Sequence, residues 1–171
     1  MKAEELKNKL INNDLSIGTW VTIAHPSVVE VLANANFDWL VVDMEHTSID
    51  LQMAQILISS IQAKGLSALV RVSKNEEVII KRVLDAGADG VIVPMVNTKE
   101  DAQRAIDYSF YPPKGKRGVG LYRAQNYGFS FENYVKNWEQ RGIVIAQIEH
   151  IDAVDNLEEI ISVEGIDGIM V

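Results

Sequence analysis

The chain has 171 residues, of which 47% are hydrophobic and 23% charged, so it is long enough for one globular domain with a buried core. Its net charge of −8 argues against a general nucleic-acid-binding protein, which would present a basic face. The absence of cysteine excludes disulfides and thiolate metal sites, and no apolar run reaches membrane-spanning length, so we expect a protein of the cytoplasm.

Short β-rich segments alternate with helical segments of roughly ten or more residues along the whole chain. The predicted strands are near-continuous apolar runs, which is typical of strands buried on both faces of a parallel sheet. They cover residues 16–23, 37–43, 67–72, 89–95, 143–149 and 166–171. The predicted helices cover residues 2–12, 26–35, 51–63, 76–86, 98–107, 130–140 and 152–162.

Several helix boundaries are marked by residues with known terminal preferences. Pro26 suits the first turn of a helix, and Asp50 and Asn75 are suited to cap the N-termini of the next two helices. Those two helices are predicted to end at Gly65 and Gly87, because glycine readily adopts the left-handed conformation that often follows a helix.

The six β/α steps are compatible with either a doubly wound sheet or a (β/α)8 barrel. The turn after the first strand, IAHPSVVE, lacks the glycines of a doubly wound nucleotide-binding protein, and this favours the barrel. A complete barrel has roughly 250 residues. We therefore expect residues 1–171 to form a single α/β barrel domain that is incomplete at its C-terminal end, with only the first six β/α units. A long irregular loop, predicted over 108–129, is expected to be functional because of its length.

Barrel enzymes carry their active sites at the C-terminal ends of the strands. In this chain, polar groups end several of the predicted apolar strands, and three such endings on one rim indicate a site. The residues at these ends are Trp20, Thr22 and His25; Asp43, Met44, Glu45 and His46; Arg71; Pro94 and Met95; and Gln147, Glu149 and His150.

His46 is the natural general base, because imidazole titrates near neutral pH, and Asp43 could orient it or hold a metal-bound water. A surface histidine and a turn-capping aspartate are the alternatives. Arg71 suits capture of a carboxylate or of a developing enolate oxygen, although it could instead form a structural ion pair.

Gln147 and Glu149 are two positions apart on one strand, so their side chains point the same way. They form a plausible platform for a hard metal ion or for substrate, and the alternative is a buried glutamate paired to an arginine. Trp20 could form a pocket wall, although simple packing would also explain an aromatic residue at a strand end.

Five motifs occur in a fixed order: D-x-E-H, the strand-end arginine of LVRV, LDAGADGVIVP, YPPKGKRGVG and QIE. In this combination the chain resembles the HpcH/HpaI aldolase/citrate lyase family, above all its 4-hydroxy-2-oxoheptanedioate and 2-keto-3-deoxy sugar-acid aldolases. The resemblance implies a (β/α)8 barrel of the phosphoenolpyruvate/pyruvate type, a divalent metal (Mg²⁺, Mn²⁺ or Co²⁺) and a homohexamer.

The resemblance also implies roles for individual residues. His46 matches the proton-abstracting base and Asp85 the acid that raises the basicity of this histidine. The other matches are Asp43 as an acidic site residue, Arg71 as the keto-acid and enolate ligand, Gln147 as a substrate contact and Glu149 as a metal ligand. In the family, a Gly-Pro-x-Asp-Leu-Ser segment after the sixth strand supplies a second carboxylate ligand, and the sequence given ends where that segment would begin.

The implied reaction is metal-dependent cleavage of a 4-hydroxy-2-oxo acid to pyruvate and an aldehyde, and its reversal. No predicted strand ends in a lysine suited to Schiff-base chemistry. Two alternatives remain: a related lyase or decarboxylase, including the acyl-CoA lyase branch, or a non-catalytic barrel fragment that binds metabolites.

Overall fold

The computed structural model describes residues 3–171, which form six parallel strands connected by helices. The strands lie in sequence order across one sheet, and each predicted strand is confirmed with shorter bounds than the apolar run suggested. They are β1 (Gly18–Val21), β2 (Trp39–Asp43), β3 (Ser67–Arg71), β4 (Gly90–Val93), β5 (Ile143–Gln147) and β6 (Gly168–Met170).

The helices fall where the sequence predicted them, although two are interrupted. They are α1 (Ala3–Ile11), α2 (Pro26–Leu32), α3 (Leu51–Ala63), α4 (Glu77–Asp85), α5 (Lys99–Ser109), α6 (Phe131–Arg141), α7 (Ile151–Asp155) and α8 (Leu157–Ile161). Residue 2 of the predicted first helix lies outside the described residues. Within residues 3–171, the helices are too short and too polar for any of them to cross a membrane.

The two interruptions occur at asparagines or next to them. The predicted helix 26–35 tightens into the 3-10 helix Ala33–Ala35 and ends at Asn36, which has a left-handed φ of 56°. The predicted helix 152–162 is divided into α7 and α8 at Asn156. The long loop after α5 also contains a short 3-10 segment, Arg123–Gly128.

Predicted helix starts are confirmed at α2 and α3 but not at α4. Pro26 occupies the first turn of α2, and the Asp50 carboxylate accepts a hydrogen bond of 2.8 Å from the backbone N–H of Met53. The predicted cap at Asn75 is wrong: α4 begins after Glu76, and the Asn75 side chain donates instead to the backbone carbonyl of α5 at 2.9 Å.

Strand side chains alternate between two apolar clusters, as the two-residue period of a strand requires. One set packs against the helices, and the other faces the inside of the curled sheet. The inner cluster, which we call the barrel-side cluster, consists of the buried residues Leu6, Val41, Leu69, Ile92 and Ile143. The strands β2, β3, β4 and β5 each contribute one member, and Leu6 of α1 packs among them, so the sheet curls around this cluster into a half-barrel.

The N-terminal helix α1 covers the start of the strands. Leu6 is 1% exposed and inserts into the barrel-side cluster, and the Lys7 ammonium lies 3.2 Å from the Asp167 carboxylate immediately before β6. This helix therefore closes the N-terminal end of the half-barrel, and the C-terminal strand ends remain as the open rim.

Candidate active site

Three polar side chains reach the rim because of their position in the strands. Asp43, Arg71 and Gln147 are the last residues of β2, β3 and β5, and each lies two positions after a residue that faces the barrel side. Those apolar predecessors are Val41, Leu69 and Ile145. Alternation therefore directs all three polar side chains to the same side of the sheet, at its C-terminal edge.

Arg71 and Asp43 form a bidentate ion pair across neighbouring strands, where they are direct register partners. Arg71 Nε lies 3.0 Å from Asp43 Oδ1, and Nη2 lies 2.7 Å from Oδ2. Burial alone would raise the pKa of Asp43, but hydrogen bonds from Arg71 and from two backbone N–H groups outweigh it and the pKa is lowered. The hydrogen bond to Asp43 correspondingly raises the pKa of Arg71, which keeps the guanidinium charged.

The polar contacts continue from Arg71 to the end of β5. Arg71 Nη1 donates to Gln147 Oε1 at 3.4 Å, and Gln147 Nε2 donates to Glu149 Oε2 at 2.6 Å. The other oxygen of Glu149 accepts from the backbone N–H of Met95 at 2.8 Å. We call these five residues the rim network: Asp43, Arg71, Gln147, Glu149 and Met95. Glu149 lies two residues beyond the end of β5, so the prediction that it shares a strand with Gln147 is wrong, and hydrogen bonds from Gln147 and Met95 fix its position instead.

Met95, two residues after β4, has an unusual backbone conformation. Its φ of 53° lies in the left-handed region, which costs a non-glycine residue about 1–3 kcal/mol and is maintained only where surrounding contacts require it. The sequence placed Met95 at a strand end but indicated no role for it.

Trp20, at the rim end of β1, covers the arginine. The Arg71 guanidinium carbon lies 4.5 Å from the centroid of the Trp20 ring, which is a cation–π distance. Trp20 therefore packs on Arg71 rather than lining an open pocket by itself.

His46 follows β2 and presents its imidazole to solvent, with 67% of its side chain exposed. Asp43 accepts a hydrogen bond from its backbone N–H at 3.3 Å. The carboxylate near its imidazole is Glu45, whose Oε2 lies 3.6 Å from His46 Nε2 and 3.3 Å from Arg71 Nε. The described contact between Asp43 and His46 runs through the backbone, and the role of Asp43 in orienting the imidazole stays a prediction.

Glu45 lies among the rim residues, and the sequence interpretation gave it no role. Its side chain is only 14% exposed, and its Oε2 is a buried oxygen without a hydrogen-bond partner among the described residues. The one available signal was its position between two predicted site residues in the D-x-E-H motif. This buried oxygen lies between a guanidinium and an imidazole, and it can accept a hydrogen bond from a further donor.

Asp85 lies apart from the rim. It is the last residue of α4, and a helix that follows a strand in a β/α unit runs back toward the N-terminal strand ends. Its carboxylate accepts a hydrogen bond of 2.6 Å from Arg117, whose side chain is fully buried. Within one chain, Asp85 and His46 are at opposite ends of the sheet, so the role that the resemblance gives to Asp85 stays a prediction.

The residues at the rim suit a hard divalent cation. Glu149 offers a carboxylate held in place by Gln147 and Met95, and Mg²⁺ commonly binds to one or two carboxylates while retaining several waters. Among residues 3–171, no cluster of three or more acidic, histidine or cysteine side chains forms a complete metal cage. A metal here would therefore take its remaining ligands from water, substrate or other protein groups.

A large cleft among the described residues lies at the opposite end of the sheet. It has a volume of about 1040 Å³, and its lining includes Gln62, Asp89, Arg123 and Arg141. Burial raises the pKa of Asp89, which accepts a hydrogen bond of 2.9 Å from the backbone N–H at the start of β3. This carboxylate binds the backbone at the start of β3, and none of the predicted site residues lines the cleft.

Comparisons with known proteins agree with the motifs. A sequence model described as HpcH/HpaI aldolase/citrate lyase matches residues 16–171. A 4-hydroxy-2-oxovalerate aldolase from Novosphingobium aromaticivorans is 40% identical over 164 residues, which are 95% of this chain and 62% of that protein. A 5-keto-4-deoxy-D-glucarate aldolase from Escherichia coli is 36% identical over 98% of this chain and 65% of its own length.

A solved structure also matches. The crystal structure of an HpcH/HpaI aldolase/citrate lyase family protein from Burkholderia cenocepacia J2315 superposes with a TM-score of 0.91 at 33% sequence identity. The match covers 97% of this chain and 67% of the other chain. The chain thus spans a little over three fifths of the length of the curated relatives described above.

Proposed function

The chain belongs to the HpcH/HpaI aldolase/citrate lyase family, and from this premise we propose that the whole protein is a class II aldolase. The proposed reaction is reversible cleavage of a 4-hydroxy-2-oxo acid, of the 2-keto-3-deoxy sugar-acid or 4-hydroxy-2-oxoheptanedioate type, to pyruvate and an aldehyde. The observation that carries the proposal is the placement of Arg71 at the rim, held between Asp43 and Gln147 beside Glu149.

Arg71 is well placed to bind the 2-oxo acid. A guanidinium has five N–H donors, of which two bind Asp43 and one binds Gln147. The remaining two, one on each terminal nitrogen, are available for a substrate carboxylate or enolate oxygen. Since Asp43 and Trp20 already fix the group, little reorganisation is needed when negative charge develops on the substrate.

His46 is proposed to take the proton from the 4-hydroxyl group, directly or through one water. The C3–C4 bond then breaks, its electron pair forms the enolate of pyruvate, and the 4-carbon leaves as the aldehyde. Protonation of the enolate at C3 gives pyruvate. Glu45, 3.6 Å from the imidazole, can stabilise the protonated histidine.

Glu149, beside Gln147, would hold the divalent metal, for which we propose Mg²⁺, Mn²⁺ or Co²⁺. Bound there, the metal would supply Lewis-acid polarisation of the 2-oxo group. The rim network keeps the Glu149 carboxylate in a defined orientation, because both of its oxygens accept hydrogen bonds.

We further propose that residues 1–171 supply the first six β/α units of an eight-unit barrel. The remaining units would contribute the second carboxylate ligand, and the whole protein would form a cytoplasmic homohexamer. The related lyase, the decarboxylase and the non-catalytic fragment are the alternatives, and no contact among residues 3–171 favours them.

Pyruvate release from 4-hydroxy-2-oxo acids, coupled to lactate dehydrogenase, tests the proposal on the full-length protein. We expect turnover that disappears on thorough chelation and returns with Mg²⁺ or Mn²⁺. His46→Ala is expected to lower kcat by about 10²–10⁴-fold. Chelation-resistant turnover would reject the metal, and a normal kcat in His46→Ala would reject the base.

A further inference from the structure

We propose that Met95 is a positioning residue for the metal site, and that its left-handed backbone conformation is the feature that matters. This inference rests on the proposed function, because it concerns the carboxylate that we assign to the metal. Met95 is not among the polar residues of the five sequence motifs. It acts through its backbone N–H group and not through its side chain.

The first observation is the hydrogen bond from the Met95 backbone N–H to Glu149 Oε1, at 2.8 Å. The other oxygen of the same carboxylate is held by Gln147 Nε2 at 2.6 Å. A carboxylate that accepts a hydrogen bond at each oxygen cannot rotate freely. Each oxygen also keeps a second lone pair that can bind a cation. Such partners behind a metal ligand tune its affinity, and losing one typically weakens metal binding by about 10–100-fold.

The second observation is the backbone itself. Met95 has a φ of 53°, whereas the other left-handed non-glycine residues described are asparagines and Tyr127 in surface turns. The next residue, Val96, is fully buried, and its N–H donates to the backbone carbonyl of Gln147 at 3.3 Å. With Val96 fixed against β5, the φ of Met95 determines where the preceding peptide plane points its N–H.

The third observation is that the methionine side chain is not what holds this conformation. Met95 is 50% exposed, so packing of its side chain does not determine its backbone conformation. Unbranched side chains tolerate the left-handed region poorly, β-branched side chains more poorly still, and glycine and asparagine best. Substitution at this one position therefore separates the conformation from the side chain.

The experiment measures Mn²⁺ affinity in the full-length protein, from the loss of the free-ion EPR signal during titration. Met95→Gly and Met95→Asn favour the left-handed conformation and keep the N–H, so we expect dissociation constants within about 2-fold of the wild type. Met95→Val opposes the conformation, and we expect Mn²⁺ binding at least about 10-fold weaker. Thermal unfolding establishes that each variant is folded, and a purely structural role would shift the melting temperature without this affinity pattern.

Wild-type affinity in a folded Met95→Val variant would overturn the inference. So would a 10-fold loss in Met95→Gly, because the side chain would then be responsible, and this result decides the matter even if Met95→Val fails to fold. A wild-type protein that binds no Mn²⁺ overturns the inference together with the proposed metal. A protein that shows the affinity pattern but releases no pyruvate contradicts the proposed function alone.

Discussion

At the scale of single residues, the rim depends on the fork geometry of Arg71. Its two bonds to Asp43 and one to Gln147 use three different nitrogen atoms, an arrangement that a lysine ammonium cannot reproduce. A positive charge at position 71 is therefore not enough to make these three hydrogen bonds, and we expect the planar shape of the guanidinium to matter for activity.

We predict that Arg71→Lys lowers kcat for pyruvate release by about 10²–10³-fold, the usual cost of removing one charge-stabilising donor. Steady-state kinetics on the full-length protein would measure this loss. Arg82→Lys is the matched control, because Arg82 lies exposed on α4, and its kcat should be unchanged. Equal kinetics for the two variants would remove Arg71 from the mechanism.

Asp43 gives a prediction with a defined pH dependence. Its folded-state pKa is depressed, so the ionised carboxylate stabilises the fold above its ordinary value of 3.8, and this contribution is lost as the pH falls through the lowered folded pKa. We predict that Asp43→Asn lowers the free energy of unfolding by about 3 kcal/mol at pH 7, because the half-buried Arg71 loses its counter-charge.

Urea unfolding of both proteins at pH 7 and at several values below pH 3.8 checks the prediction. The difference between wild type and variant should shrink on the acidic side, where the wild-type carboxylate is also neutral. A difference that stays constant over the whole range would mean that the ionised form of Asp43 does not stabilise the fold.

Individual rim residues were predictable where a polar or charged side chain stands at the end of an apolar strand. Asp43, Arg71 and Gln147 end apolar strands, so alternation and residue type were sufficient to bring them together. Met95 was not predictable in the same way, because its contribution comes from a backbone amide and a positive φ, which an apolar side chain does not reveal.

At the scale of elements, helix α1 behaves as part of the core although it precedes the first strand. Leu6 is 1% exposed and packs with Val41, Leu69, Ile92 and Ile143 inside the half-barrel. A short polar helix with a single deeply buried leucine therefore completes the apolar interior.

We predict that Leu6→Ala lowers the free energy of unfolding by about 2–5 kcal/mol, because it removes buried methyl groups and leaves a cavity. Leu15→Ala is the matched control: Leu15 is 79% exposed, and its loss should change stability by less than about 0.5 kcal/mol. Denaturant unfolding of the two variants would measure the contrast, and similar values would show that α1 does not close the barrel.

Strands and helices were predicted well where burial of apolar side chains determines their position. Their ends were predicted less well where a single hydrogen bond determines them. All six strands follow from continuous apolar runs. The end of α2 and the division between α7 and α8 depend on local turns at asparagines. The cap expected at Asn75 failed because its amide is turned toward α5, where Nδ2 donates to a backbone carbonyl, and its Oδ1 meets no hydrogen-bond donor among the described residues.

At the scale of the whole molecule, the described sheet has two edges. β1 pairs only with β2 and β6 only with β5, so each exposes one row of backbone donors and acceptors. Unpaired edges promote association between chains.

We predict that residues 1–171, expressed by themselves, associate into mixed oligomers and release no pyruvate. Size-exclusion chromatography with light scattering would show a broad mass distribution, and the full-length protein run beside it should give a single species. A monodisperse, cooperatively unfolding monomer of residues 1–171 would contradict the expected effect of the open edges.

The end of the sheet at which a loop lies was the feature least predictable from the sequence. The long loop 108–129 was expected to be functional, yet it follows α5 and therefore lies on the side of the N-terminal strand ends, where Arg117 meets Asp85. Sequence proximity to a strand did not reveal this, because each connecting helix carries the chain back across the height of the barrel.

The rim network has a consequence for how this protein can change over evolutionary time. Four strands contribute to one continuous set of hydrogen bonds from Asp43 to Met95, so a substitution at either end alters the partners of the next residue. Effects of paired substitutions within such a network are not additive. Drift at these five positions should therefore be epistatic.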